Sequence, residues 1–144
     1  IGASIDPIGI RRAGTNYTLT ATSGALTATS SAFDITAGST THLVFTVQPS
    51  DETALVPISP TVEVTALDQF DNVATTLGGT ISLAIGVNPT GGVIIGNGAT
   101  APVNGVATFP GLMFNDQGVG YTLIATSNVG GVTSVQSVPI TISQ

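Results

Sequence analysis

The chain has 144 residues, two of them basic and eight acidic, for a net charge of -6. A phosphate backbone needs a Lys/Arg footprint, and Arg11 and Arg12 do not make one, so nucleic acid and anionic membrane surfaces are set aside as partners. There is no Cys, which excludes disulfides and Cys-based catalysis, and no apolar run approaches the ~20 residues of a membrane helix.

What replaces charge is small and polar. Charged residues are 7% of the chain, against 23 Thr and 12 Ser. Thr and Val favour pleated, half-buried surfaces. With 18 Gly and 8 Pro as punctuation, the chain reads as all-β. The expected strands are short. Residues 3–5 with 8–10, then 17–22 and 26–35, come first. Residues 42–48 alternate, with Leu43, Phe45 and Val47 on one face, and 61–68 alternate with Val62, Val64 and Ala66. Ile81, Leu83 and Ile85 form a third alternating set. The apolar pieces 93–95, 106–109 and 112–114 follow, then 121–126 with Tyr121, Leu123 and Ala125, and a last strand over 132–142. No helical period is visible.

One stretch is written twice. Gly14-Thr15-Asn16-Tyr17-Thr18-Leu19-Thr20-Ala21-Thr22-Ser23 returns, about 104 residues later, as Gly118-Val119-Gly120-Tyr121-Thr122-Leu123-Ile124-Ala125-Thr126-Ser127. Ala3, Ile5, Ile8 and Ile10 align likewise with Ala107, Phe109, Leu112 and Phe114. The spacing implies one complete repeat preceded by the last part of another: residues 1–36, a short linker over 37–41, and a complete domain over 42–144. Since the chain begins at Ile1, a processed form or a piece of something longer is expected. Seven or more short strands in one repeat, with turn signals every 8–12 residues, is the pattern of an immunoglobulin-like β-sandwich. In both copies Gly-x-x-Tyr-x-Leu has the form of a tyrosine corner, in which the hydroxyls of Tyr17 and Tyr121 bond backbone a few residues upstream. The plainer reading of each is an ordinary buried strand Tyr.

At this point the chain resembles the bacterial immunoglobulin-like tandem repeats of large secreted and surface proteins. The likeness rests on Leu43-Val44-Phe45-Thr46-Val47-Gln48-Pro49-Ser50, Val64-Thr65-Ala66-Leu67-Asp68-Gln69-Phe70-Asp71-Asn72, Asn104-Gly105-Val106-Ala107-Thr108-Phe109 and Gly120-Tyr121-Thr122-Leu123. It covers residues 38–142 in full and 1–36 as a C-terminal portion. Such repeats usually carry Asp-x-x-Gly-Asn in the second stretch, and here Asp71 stands in place of the Gly. The resemblance implies a non-catalytic stalk, spacer or adhesive array, and an extracellular or cell-surface location.

The residues themselves offer little catalytic chemistry. His42 is the only His, so neither a Cys-His pair nor a multi-His metal set can be assembled. No G-x-S-x-G turn is present, and the carboxylates are scattered, so no enzyme is expected. No cofactor is expected either, with Ca²⁺ the one metal to consider. Asp68, Asp71 and Asn72 put three oxygen side chains in one turn, to which Asp116 could add a fourth, and Ca²⁺ takes six to eight oxygens. Turn chemistry explains the same residues without a metal. Asn16-Tyr17-Thr18 fits the N-glycosylation pattern but coincides with the tyrosine corner.

The incomplete copy poses the functional question. Its few strands leave Ile5, Ile10, Leu19, Phe33 and Ile35 as an uncovered apolar face, an expected assembly interface with open strand edges. The missing strands come from upstream on the same polypeptide, or from a neighbouring subunit by head-to-tail strand addition, which would build a filament. Either way the partners are other copies of the same repeat, and the expected function is a structural fibre or stalk. The alternative is an adhesive or ligand-binding module using loops at one end of the sandwich.

Overall fold

The computed structural model describes residues 8–96 and 98–144. Those residues form fifteen strands and no helix. In chain order they are β1 (Gly14–Tyr17), β2 (Thr20–Ser23), β3 (Leu26–Thr29), β4 (Phe33–Ile35), β5 (His42–Val47), β6 (Glu52–Thr53), β7 (Val62–Leu67) and β8 (Ile81–Ile85). Then come β9 (Ile94–Ile95), β10 (Val106–Phe109), β11 (Met113–Phe114), β12 (Gly118–Tyr121), β13 (Leu123–Ser127), β14 (Val135–Gln136) and β15 (Ile140–Ser143).

The alternating residues decide which face of each strand turns inward. Leu43 and Phe45 of β5, Val62, Val64 and Ala66 of β7, and Ala107 and Phe109 of β10 come from one antiparallel sheet with β7 at its centre. Ile81 and Leu83 of β8 and Leu123 and Ala125 of β13 come from another. Both sets, with Phe114, Tyr121, Ile140 and Ile142, share a single buried cluster, the interior of a β-sandwich. Each buried aliphatic side chain contributes about 1.5–3 kcal/mol, so a one-residue slip in register would forfeit the whole inward set of a strand.

The strands expected at 42–48, 61–68, 81–85 and 106–109 lie where their alternation put them. The expected strand 121–126 divides. Tyr121 ends β12, paired with β15, whereas Leu123 opens β13, paired with β8. The buried Thr122 makes the crossing, its hydroxyl accepting bonds from the Val87 amide at 2.8 Å and Gln136 Nε2 at 2.9 Å. The expected last strand divides too, at Ser137–Pro139, between β14 and β15. Strand β6 has no alternation to betray it, and pairs in parallel with β15, Ile142 opposite Glu52.

The first copy repeats these local solutions. Gly14 pairs Ile35 and Tyr17 pairs Phe33, as Gly118 pairs Ile142 and Tyr121 pairs Ile140. Both ladders are irregular before the Tyr, where Asn16 (φ 61°) and Gly120 (φ 92°) take left-handed backbone. Ser30 and Ser137 play the same part. Each amide donates to a Leu carbonyl at 2.8 Å, that of Leu19 or Leu123, and each hydroxyl accepts from the same Leu amide at 2.9 Å. The expected strands 17–22 and 26–35 therefore divide like their later counterparts, into β1, β2, β3 and β4.

What differs is cover. Strand β13 has partners on both sides, β8 and β14, whereas among the described residues β2 pairs with β3 alone, and all eight residues of those two strands are exposed. Strand β15 lies between β12 and β6, whereas among the described residues β4 pairs with β1 alone. Residues 8–10 form no strand, because their counterpart β11 pairs with β9 and no equivalent of β9 lies beside them among the described residues. The strand expected at 3–5, with Ile5, lies outside the described residues.

Leu19 and Leu123 occupy matching positions, yet Leu19 is 43% exposed and Leu123 0%. Leu123→Ala is expected to destabilise the sandwich by about 2–5 kcal/mol. Leu19→Ala should cost less than about 1 kcal/mol. Urea unfolding of the two variants measures both, and equal losses would contradict the asymmetry.

Candidate functional site at the junction of the two copies

Strand β7 ends at Leu67, and the next five residues close a turn. The Asp68 amide donates to the Asn72 carbonyl at 2.9 Å, and the Asp71 amide to the Asp68 carbonyl at 3.1 Å. Asp71 takes the left-handed conformation the turn requires, φ 62°, which Asp tolerates better than most residues.

Inside this turn sits the one buried carboxylate among the described residues, Asp68, 2% exposed. Its Oδ1 accepts from the amides of Phe70 at 2.8 Å and Asn72 at 3.0 Å, and from Asn72 Nδ2 at 3.2 Å. Its Oδ2 accepts from Asn72 Nδ2 at 3.0 Å and from the amide of Gly38 at 2.8 Å. The Asn72 side chain, joined by the amides of Gly38, Asn72 and Phe70, holds the carboxyl well below the usual carboxylate range despite its burial.

Asn72 carries the contact onward. Its Nδ2 donates to the carbonyl of Arg11 at 2.7 Å, and its Oδ1 accepts from the amide of Ala13 at 2.8 Å. One side-chain amide thus pairs reciprocally with the backbone of the first copy, as a neighbouring strand would. The Arg11 guanidinium also lies 5.6 Å above the centre of the Phe70 ring. A cleft lined by Ile10, Arg11, Ile35, Thr36, Gly38 and Phe70 runs along the seam. Of the expected linker 37–41, Gly38 is held by Asp68, and Thr41 already exchanges bonds with Leu67 and Thr133.

Of the residues considered for calcium, Asp68 and Asn72 have their side-chain oxygens engaged by N–H donors. Asp68 is surrounded by N–H donors, Asn72 Oδ1 faces Ala13, and Asp71 Oδ1 lies 3.0 Å from His42 Nε2. Asp116 is not brought to them. It sits beside Gly92, at the end of the sandwich opposite Asp68. Among the described residues no group of three or more His, Cys, Asp or Glu is placed to hold a metal ion. His42 Nδ1 also meets Thr41 Oγ1 at 2.9 Å, so the imidazole lies between a hydroxyl and the exposed carboxylate of Asp71.

The two Tyr hydroxyls part company. Tyr17 donates to the carbonyl of Arg12 at 3.1 Å, its ring folded over Gly14, where a Cβ would lie 3.1 Å from a ring carbon. Tyr121 instead meets the hydroxyl of Thr90, so the upstream backbone bond expected for it is replaced. The cause is the segment 88–92, which covers the Tyr121 ring and has no equivalent beside Tyr17 among the described residues. A Cβ on Gly92 would lie 2.7 Å from the Tyr121 hydroxyl. Of the expected assembly residues, Leu19 is exposed and Ile10, Phe33 and Ile35 are half-buried, whereas their counterparts Leu123, Phe114, Ile140 and Ile142 are all buried. Asn16 is exposed on the irregular turn of β1.

No protein-family model matches the chain, and no curated protein matches it. The Asp68–Asn72 turn is visible in the sequence, whereas its reach to Arg11 and Ala13 is not, since those partners offer only backbone atoms.

A carboxyl whose folded-state pKa is depressed adds stability above its ordinary value of 3.8 and loses it as pH falls toward the folded value. The melting temperature is therefore expected to fall as pH drops from about 5 to about 2. Asp68→Asn should melt lower at neutral pH and lose much of that acid sensitivity. Melting curves across this range check it, and an unchanged pH profile in the variant would contradict the assignment.

Proposed function

We propose that this chain is a portion of an extracellular or cell-surface stalk or fibre, built from immunoglobulin-like sandwiches joined end to end. The observation that carries this reading is the junction. A short connection, pinned at Gly38 by Asp68, and a reciprocal Asn72 contact to the preceding copy together limit how far neighbouring units can swing. The likeness to bacterial immunoglobulin-like repeats supports the same role. Its mechanism is mechanical: paired strands and restrained joints supply reach and stiffness, and no reaction is performed.

The incomplete copy takes its missing strands from upstream on the same polypeptide. This is favoured because both flanks of β13 and of β15 in the complete copy are already filled from within the chain, which leaves no gap there for a neighbour's strand. The exposed hairpin β2–β3 and the one-sided strand β4 would then be covered by counterparts of β8 and β6.

The intact mass of the denatured native protein, with electron microscopy of the native particle, tests the proposal. A polypeptide many times 14.3 kDa, seen as a thin fibre, is expected. Fibres that dissolve into subunits near 14.3 kDa would keep the fibre but transfer the missing strands to a neighbour. A native protein of that mass that never assembles would overturn the reading.

A further inference from the structure

The junction uses two backbone groups of the first copy: the carbonyl of Arg11 and the amide of Ala13. Both lie in the bend that leads into β1, just before the Gly-x-x-Tyr stretch. The complete copy has the same bend ahead of β12, where the matching groups are the carbonyl of Asn115 and the amide of Gln117. Residues 115–117 are exposed, and among the described residues neither of these two groups has a hydrogen-bond partner. The strands on either side agree in register, since Gly14 opposite Ile35 recurs as Gly118 opposite Ile142.

Position matters as much as pattern. The Asp68 turn follows the Leu67 end of β7, where the first copy is attached. The bend at 115–117 lies at the other end, next to the Val62 side of the sheet. Leu112 and Phe114 there accept bonds from the amides of Ile58 and Leu55. One end of the complete copy therefore carries the clasp and the opposite end an unused copy of what the clasp holds. A contact of this kind is heterologous and does not close on itself.

We propose that the bend Asn115–Gln117 is a docking site for a second copy of this repeat. The incoming copy's Asn72 would donate to the Asn115 carbonyl and accept from the Gln117 amide, with its Asp68 orienting that side chain. The site rests on the stalk reading and deepens it, naming the atoms that join one unit to the next. The register also sets the connection. Ile142, Ser143 and Gln144 stand where Ile35, Thr36 and Ala37 do, so the next unit's Gly38 would follow Gln144 directly. The Arg11–Phe70 stacking does not carry over, because Asn115 stands in place of Arg11. The reciprocal backbone pairing does, because it asks nothing of the side chains at 115 and 117.

The test extends the full chain at Gln144 by a second copy of residues 38–144, whose buried cluster spans Leu43 to Ile142. Amide hydrogen exchange by NMR then follows one proton, that of Gln117. In the unextended chain it should exchange freely, while the Ala13 amide, already clasped, serves as the protected reference. In the extended chain Gln117 should slow by about tenfold or more, the effect of one persistent hydrogen bond of about 1.4 kcal/mol. Asn72→Ala in the appended copy should return it to the free rate. Unchanged exchange at Gln117 on extension overturns the site, as does protection that survives Asn72→Ala with the appended core intact. The first comparison needs no variant, so it stands even where the substitution loosens the turn. X-ray scattering of the same extended chain separates the two claims. A rigid rod with Gln117 unprotected removes this clasp and leaves the stalk, whereas units that tumble independently remove both.

Discussion

A carboxylate can only accept hydrogen bonds, and the end of this sandwich is organised around that fact. Asp68 is buried and ionised, so its oxygens must be met by donors, and the turn that follows supplies them from Phe70 and Asn72. The Gly38 amide completes the set and in doing so fixes the path of the connection between copies. Asn72 must present its NH₂ to the carboxylate, which sends its Oδ1 the other way, toward Ala13. The orientation of a surface amide, and with it the grip on the preceding copy, follows from the charge state of one buried residue.

The two copies separate what is local in this fold from what is not. The irregularity in the ladder just before the Tyr is made by a left-handed residue, Asn16 in one copy and Gly120 in the other. A serine hydroxyl then satisfies the Leu amide just past the crossing, Ser30 in one copy and Ser137 in the other. Both devices form in the first copy without the strands that cover them in the second, so they are written into the segment itself. Burial is not. Leu19 and Leu123 follow the same rule of alternation, and only Leu123 has a second sheet to pack against. Even the Tyr hydroxyl obeys its surroundings, bonding the Arg12 carbonyl in the first copy and the Thr90 hydroxyl of a covering loop in the second.

Legibility in the sequence divides along the same line. Period-two strands such as Ile81–Ile85 and Val106–Phe109 are visible because burial on one face imprints the alternation directly. The crossings at Thr18–Leu19 and Thr122 are not, because alternation continues unbroken through a change of sheet; a continuous pattern looks like one strand. Strand β6 escapes notice because two residues on a sheet edge need no pattern at all. At the junction, Asp68, Asp71 and Asn72 are conspicuous as a group of oxygens, and a group of oxygens reads equally well as a metal site or as a turn. What distinguishes the two is the set of N–H groups facing them, among them the amides of Gly38 and Ala13, and those belong to residues remote in sequence.

That reliance on backbone explains how the joint and the sequence can vary separately. At the three bend positions the copies share nothing: Arg11, Arg12 and Ala13 in one, Asn115, Asp116 and Gln117 in the other. A clasp that read side chains could not survive such divergence, whereas one that reads a carbonyl and an amide is indifferent to it. The demand falls wholly on the other partner, where Asp must stay buried and Asn must follow it four residues on. It also suits a chain so poor in charge. Among the described residues the only contact between a basic and an acidic side chain is His42 with Asp71, at the surface, where such contacts contribute little. Neutral amide bonds around one solvent-shielded carboxylate depend far less on ionic strength than exposed salt bridges would, since screening acts on charges that water can reach. A joint built this way keeps its geometry through changes of salt and of surface sequence.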